Sequence, residues 1–262
     1  METCSIRGSH PVIQSILAAA ERIATTDVGV LIVGEKGTGK ELLARYIHAV
    51  SPRGSQPFVR FDCQDGALLR GGRDLAGALA HDGGSNGFEA GPLARARGGT
   101  LFLDHISALS VDQQERLLAA VLSKTNGQGD VRLVAARDPT DAVPACLTTA
   151  GLPLVEIPLP ALRQRRSDIP VLVEHFLALY AARHGVAACR IDTEAMVQLW
   201  QYDWPGNVRE LESVVERVVV LSRSGVVHVT DLPPHIRTVT TRPRACGTTR
   251  GNGYRPDGPP PR

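Results

Sequence analysis

Residues 28–41, which read VGVLIVGEKGTGKE, decide how this chain folds. The apolar, β-branched run at 28–33 predicts a buried strand, and residues 40–50 show a helical pattern. Glycines at 34, 37 and 39 allow the intervening loop to turn tightly and to aim backbone N–H groups at phosphate oxygens. The following helix adds the positive end of its dipole, and Lys40 supplies a compact charge for the outer phosphates. We therefore predict a phosphate-binding loop; the alternative is a glycine turn with a surface lysine.

The whole loop is predicted to contact the nucleotide, through Gly34, Glu35, Lys36, Gly37, Thr38, Gly39, Lys40 and Glu41. The general pattern has Ser or Thr after the lysine as a magnesium ligand, but this chain has Glu41. Residues 98–104, GGTLFLD, predict a strand that ends in an acid. Asp104 would hold Mg²⁺ directly or through water, unless it only caps a loop.

Composition restricts the possible classes of protein. The 262 residues are 43% hydrophobic and 21% charged, as in globular proteins, and no apolar run reaches the roughly 18 residues of a membrane span. The start of the chain lacks the pattern of a secretory signal, and the five cysteines are scattered, which favours reduced thiols in a cytoplasm. The net charge of +2 combines +4 from residues 238–262 with −2 from residues 1–237. Residues 238–262 hold five arginines and one acid and are predicted to be disordered.

The order of patterns predicts an α/β fold followed by helices. Strands alternating with helices indicate a parallel sheet covered on both faces. Besides residues 28–33, strands are predicted at 58–61, 101–103, 131–136 and 155–159, and helices at 11–25 and 110–122. After Arg166 the pattern becomes all-helical, with helices predicted at 169–183, 193–200 and 207–222.

Several stretches together resemble one family. The loop, the Asp62-Cys63 step, residues 98–104, LRQRRSDIP at 162–170 and WPGNVREL at 204–211 are similar to motifs of bacterial enhancer-binding proteins, the sigma-54-dependent transcription activators. The resemblance implies a P-loop AAA+ domain at 5–165 and a small all-helical lid at 166–237. It also implies ATP and Mg²⁺ as cofactors and oligomeric rings. Arg209 would approach the γ-phosphate from the lid; the alternative is a helix salt bridge with a glutamate.

The chain departs from that family at positions that matter for hydrolysis. The family has Asp-Glu at the end of the acidic strand, and its Glu polarises the attacking water; here His105 follows Asp104. His105 is interpreted either as a substitute base or as a non-catalytic replacement. The family's arginine fingers have no counterpart between Asp138 and Leu162, a segment without arginine. Losing a finger costs about 10³–10⁵ in rate.

Other departures concern phosphate sensing and partners. Arg137-Asp138 replaces the usual Thr-Asn or Thr-His of the first sensor, and the acid would repel a γ-phosphate unless Mg²⁺ or Arg137 compensates. The family contacts sigma-54 through a GAFTGA loop, whose nearest match here is residues 84–88, without the Phe-Thr pair. The sequence shows no DNA-binding helix-turn-helix. Ile6, Lys36 and Ile169 are candidate lining residues of the nucleotide pocket.

Three functions remain open at this stage. We expect an ATP- or ADP-binding regulator of transcription, impaired in hydrolysis and in contact with sigma-54 RNA polymerase holoenzyme. It would form homo- or hetero-oligomers with AAA+ relatives. The first alternative is an active enhancer-binding ATPase that remodels that holoenzyme. The second is a truncated or decayed gene product.

Overall fold

A computed structural model describes residues 6–64, 91–115, 131–142, 154–187, 189–221 and 225–237. Within these ranges the chain forms a five-stranded parallel sheet, its flanking helices and a helical unit that follows. The strands are β1 (Gly29–Val33), β2 (Phe58–Asp62), β3 (Thr100–Asp104), β4 (Arg132–Arg137) and β5 (Leu154–Pro158).

The strand order is β2-β3-β4-β1-β5, and each neighbouring pair is parallel. Because the strands run in the same direction, their carboxyl ends meet at one edge, where ligands of open α/β sheets bind. Asp62 lies opposite Asp104 across β2 and β3, and Val33 lies opposite Arg137 across β1 and β4. This register brings the phosphate loop, both acids and the residue after β4 to the same edge.

Apolar layers cover both faces of the sheet, as the sequence predicts. One face packs with α1 (Pro11–Ala24) and α2 (Lys40–Ala49), and Phe102 is fully buried there. The other face carries a second core that includes Phe61, Leu103 and Leu93, the last from α3 (Pro92–Arg95). Full burial of side chains such as Phe102 contributes about 1.5–3 kcal/mol each, which makes the sheet a rigid support for its edge.

The helical unit has a core of its own. It contains α4 (Asp168–His184), α5 (Thr193–Gln201), α6 (Asn207–Leu221) and α7 (Pro234–Arg237), with the short strands β6 (Arg190–Ile191) and β7 (Val226–Val227). Trp204 lies fully buried at its centre and donates its indole N–H to the Leu199 carbonyl at 2.8 Å.

Each predicted strand and helix that the described ranges cover is present, with ends that differ by one or two residues. The helix predicted at 110–122 is described only through Glu115, and its Ser110–Gln113 capping box forms. The tail at 238–262 lies outside the described residues. Within the described ranges, no helix combines the length and apolar character needed to cross a bilayer.

Candidate functional site

The phosphate loop links β1 to α2 in the predicted way. Gly37 and Gly39 have φ values of 79° and 104°, which side chains other than glycine rarely adopt. Inside the loop, the Thr38 hydroxyl donates to the Glu35 carbonyl at 2.7 Å, so this hydroxyl stabilises the turn. Lys40 begins α2, and its ammonium group donates to the Gly34 carbonyl at 2.5 Å. The loop is therefore preorganised.

Lys40 also forms an ion pair with Asp138, the residue that follows β4. The Lys40 side chain is 8% exposed and that of Asp138 is 31% exposed. The Gly34 N–H donates to the Arg137 carbonyl at 3.2 Å, which joins the end of β4 to the loop. At the predicted first-sensor position, the negative charge of Asp138 is therefore paired with Lys40. Arg137 does not contact this carboxylate.

Two acids meet at the adjacent strand ends. Asp62 and Asp104 lie on β2 and β3, and one guanidinium nitrogen of Arg60 donates to both, at 3.1 Å and 3.0 Å. His105 has a left-handed backbone with φ of 53°, and its Nδ1 lies 3.1 Å from an Asp62 carboxylate oxygen. Nearby, Glu41 forms ion pairs with Arg60 at 3.2 Å and with Arg45 at 2.8 Å.

The acids fit a hard cation. Ligand atoms of Asp62, Asp104 and His105 lie within 4.8 Å of one another, and carboxylate oxygens are donors that Mg²⁺ prefers. Burial alone would raise the pKa of Asp62, but the Gln64 N–H, His105 and Arg60 together hold it below its usual value. Asp62 therefore remains charged at neutral pH. Arg60 already contacts both carboxylates, so an ion would share them with this guanidinium.

The helical unit reaches over the loop and bonds to its backbone. Asn207, fully buried with φ of 53°, donates to the Lys36 carbonyl at 3.0 Å and to the Glu35 carboxylate at 3.2 Å. Its amide oxygen accepts from the buried Leu162 N–H at 2.8 Å. Arg165, which precedes the helical unit and is 3% exposed, also donates to the loop, at 2.9 Å from the Thr38 carbonyl.

Glu35 forms the charged part of this contact. Two nitrogens of Arg163 donate to its two carboxylate oxygens, at 2.8 Å and 2.5 Å. This Arg163 hydrogen bonding, assisted by Asn207, lowers the pKa of Glu35 to about 2. Glu35 thus connects the loop to Arg163, just before the lid, and to Asn207 within the lid.

Arg209 lies in the first turn of α6, beside the loop. Its backbone N–H donates to the Gly37 carbonyl at 3.3 Å. Its side chain is exposed and, among the described residues, makes no ion pair with a glutamate. The helix salt bridge that was the alternative role for Arg209 is therefore not present among the described residues.

An apolar cavity lies between the loop, the start of the chain and the lid. Its lining includes Ile6, Leu43, Leu159 and Phe176, with His175 as a polar member. Ile6 lines this cavity. Ile169 is fully buried in the lid core and Lys36 has an exposed side chain, and neither of the two lines this cavity.

Sequence reasoning missed Arg60, Arg165 and the pairing of Lys40 with Asp138. Period-two alternation does place Arg60 and Asp62 on one face of β2, so Arg60 could have been found. Residues 84–88, the nearest match to the sigma-54 loop, and residues 143–153 of the segment without arginine lie outside the described residues.

Comparison with known proteins gives two family matches along the chain. The sigma-54 interaction domain family matches residues 6–138, and the AAA+ ATPase lid domain family matches residues 163–246. The transcriptional regulatory protein ZraR of Salmonella typhimurium is 39% identical over 244 residues, covering 86% of this chain and 55% of that protein. The nitrogen fixation protein VnfA of Azotobacter vinelandii is 36% identical, covering 88% and 47%. The chain spans about half the length of these relatives.

Solved structures agree on the fold. Crystal structures of NtrX from Brucella abortus in complex with ADP and with ATP match with TM-scores of 0.75 and 0.74. Both are 28% identical to this chain. The match to the ADP complex covers 90% of this chain and 56% of the NtrX chain. The match to the ATP complex covers 88% of this chain and 57% of the NtrX chain.

Proposed function

The chain belongs to the sigma-54 interaction domain family of AAA+ proteins, and from that premise we propose that it binds ATP or ADP as a regulatory module in transcription and hydrolyses ATP poorly. The observation that carries the proposal is the buried Lys40 in a preorganised loop whose backbone also accepts a hydrogen bond from Asn207 of the lid. This arrangement suits a nucleotide site that is coupled to a second unit. The proposed division is residues 5–165 for the AAA+ domain and 166–237 for the lid.

The proposed roles follow the geometry. Loop N–H groups and Lys40 bind the phosphates, and Arg209 supplies a lid cation. The apolar cavity suits an adenine ring, since ligand pockets bury apolar rings between a few polar groups. Asp104 would hold Mg²⁺ beside Asp62, and the ion would neutralise phosphate charge.

Slow hydrolysis is supported by His105. The family's glutamate is replaced by the imidazole ring of His105, whose Nδ1 lies 3.1 Å from an Asp62 carboxylate oxygen. The neighbouring Asp104 carboxylate accepts a hydrogen bond from Arg60. A base must lie within hydrogen-bond reach of the attacking water in a suitable orientation, and a histidine differs from a glutamate in both reach and shape. Loss of the arginine fingers would lower the rate of ATP hydrolysis by a further factor of about 10³–10⁵.

A second candidate is an active enhancer-binding ATPase. It is favoured by the match to the sigma-54 interaction domain over residues 6–138 and by the 39% identity to a transcriptional regulatory protein. Both proposals include oligomers with AAA+ relatives. Contact with sigma-54 holoenzyme belongs to this second proposal and is impaired in the first. Turnover separates the two.

Thermal unfolding with nucleotide tests binding. We expect ADP at 100 times its Kd to add about 2.7 kcal/mol of stability, which raises the Tm by several degrees. Lys40→Ala should abolish the shift. Arg45→Ala is the matched control, since it removes one cation from the same helix at an exposed position that pairs with Glu41. Equal shifts in Lys40→Ala and the unmodified chain would contradict the proposal, and no shift in either would favour a decayed product.

A further inference from the structure

Groups of the protein itself use part of the hydrogen-bonding capacity of Lys40. An ammonium group has three N–H donors. One donates to the Gly34 carbonyl and another to the Asp138 carboxylate, and the side chain is 8% exposed. One donor therefore remains for a phosphate, and the positive charge of the Lys40 ammonium group is already paired with the negative charge of Asp138.

The position of Asp138 is fixed by its neighbours. Its N–H donates to the Asp141 carboxylate at 3.4 Å, and its carbonyl accepts from the Arg137 guanidinium at 3.2 Å. Because the end of β4 is hydrogen-bonded to Gly34, the backbone of Asp138 cannot move away from the loop without breaking these contacts.

Arg137 does not neutralise this carboxylate. Its guanidinium is bonded to the carbonyls of Asp138 and Asp141 and lies 3.7 Å from Glu156. Among the residues that the structure describes, Lys40 is the cation in ion-pair contact with Asp138. Any group that draws Lys40 away leaves the acid without its partner.

We propose that Asp138 is a specificity-determining residue that makes this site prefer a nucleoside diphosphate to a triphosphate. The inference rests on the proposed nucleotide binding and deepens it. The loop lysine serves the outer phosphates, so a β-phosphate takes its remaining donor while the pair with Asp138 persists. A γ-phosphate must share the same ammonium group with the carboxylate, and like charges held at one cation repel each other.

Affinities for ADP and for the non-hydrolysable analogue adenylyl imidodiphosphate, each with Mg²⁺, test the proposal by calorimetry. We expect the unmodified chain to bind ADP more tightly. Asp138→Asn keeps an oxygen for Lys40 and removes the charge, so it should tighten the triphosphate analogue about tenfold or more and ADP by less than about threefold. Asp141→Asn, which removes a neighbouring charge without contact to Lys40, should leave the ratio of the two Kd values within about twofold.

Two results would overturn the assignment of Asp138. One is an unchanged ratio of Kd values in Asp138→Asn; the other is the same change in Asp141→Asn, which would indicate general charge instead of a specific contact. Thermal unfolding of each variant without nucleotide establishes that it is folded. Binding that is lost in Lys40→Ala but shows no effect of Asp138→Asn refutes this inference alone, whereas no binding by the unmodified chain refutes the proposed function as well.

Discussion

Replacing Asn207 by alanine should weaken the join between the lid and the loop. Asn207 lies at the start of α6 and is fully buried. Its side chain bonds to the Leu162 N–H, the Lys36 carbonyl and the Glu35 carboxylate, at 2.8, 3.0 and 3.2 Å. One amide therefore connects three segments, and no apolar side chain can replace these bonds.

The expected loss of stability has two parts. The Leu162 N–H would remain buried without a partner, which costs about 1–3 kcal/mol. The φ of 53° at Asn207 suits asparagine better than alanine, for which the left-handed region costs about 1–2 kcal/mol. We expect the free energy of unfolding to fall by about 3 kcal/mol in Asn207→Ala.

Chemical denaturation measures this change, and Asn207→Gly serves as the matched variant. Glycine loses the same hydrogen bonds but accepts the positive φ, so it should be about 1 kcal/mol more stable than the alanine variant. A free energy of unfolding of Asn207→Ala within about 0.5 kcal/mol of the unmodified chain, the usual range for surface substitutions, would refute the reasoning.

Three further outcomes are expected. The pKa of Glu35, lowered from 4.5 to about 2, means that its contribution is present above pH 4.5 and is lost as the pH falls toward 2. Denaturation should therefore show Glu35→Gln about 1 kcal/mol less stable at pH 7, after allowance for solvent exposure, and equal at pH 2. In Gly37→Ala, the new methyl group would lie 2.2 Å from the Gly206 carbonyl, so calorimetry should show nucleotide affinity reduced at least tenfold, in contrast to Gly185→Ala. Burial raises the pKa of Cys63 to about 12, so mass spectrometry should find alkylation of Cys189 well before that of Cys63.

Local pattern was sufficient to predict most of the fold. The run at 28–33 is apolar and β-branched, and Lys40 follows a glycine loop, so the strand, the loop and the helix were all readable. Asp104 was placed at a strand end because the apolar run stops there. These predictions depend on a few neighbouring residues, and the structure confirms the elements that it describes.

The contacts within the site depend on strand order, which pattern does not give. Lys40 meets Asp138 because β4 lies beside β1, although 98 positions separate the two residues. Arg60 contacts Asp104 because β2 and β3 are neighbours in register. The sequence indicated which groups carry charge, and only the assembled sheet showed which of them neutralise one another.

The most direct test of the account is ATP turnover, followed as phosphate release at saturating Mg²⁺ and ATP over a wide range of protein concentrations. Lys40→Ala is the control. We expect little or no release above that of Lys40→Ala, while ADP still raises the Tm of the unmodified chain. A Lys40-dependent rate near or above about 0.1 per second, within two orders of magnitude of typical enzymes, would contradict it and support the active ATPase.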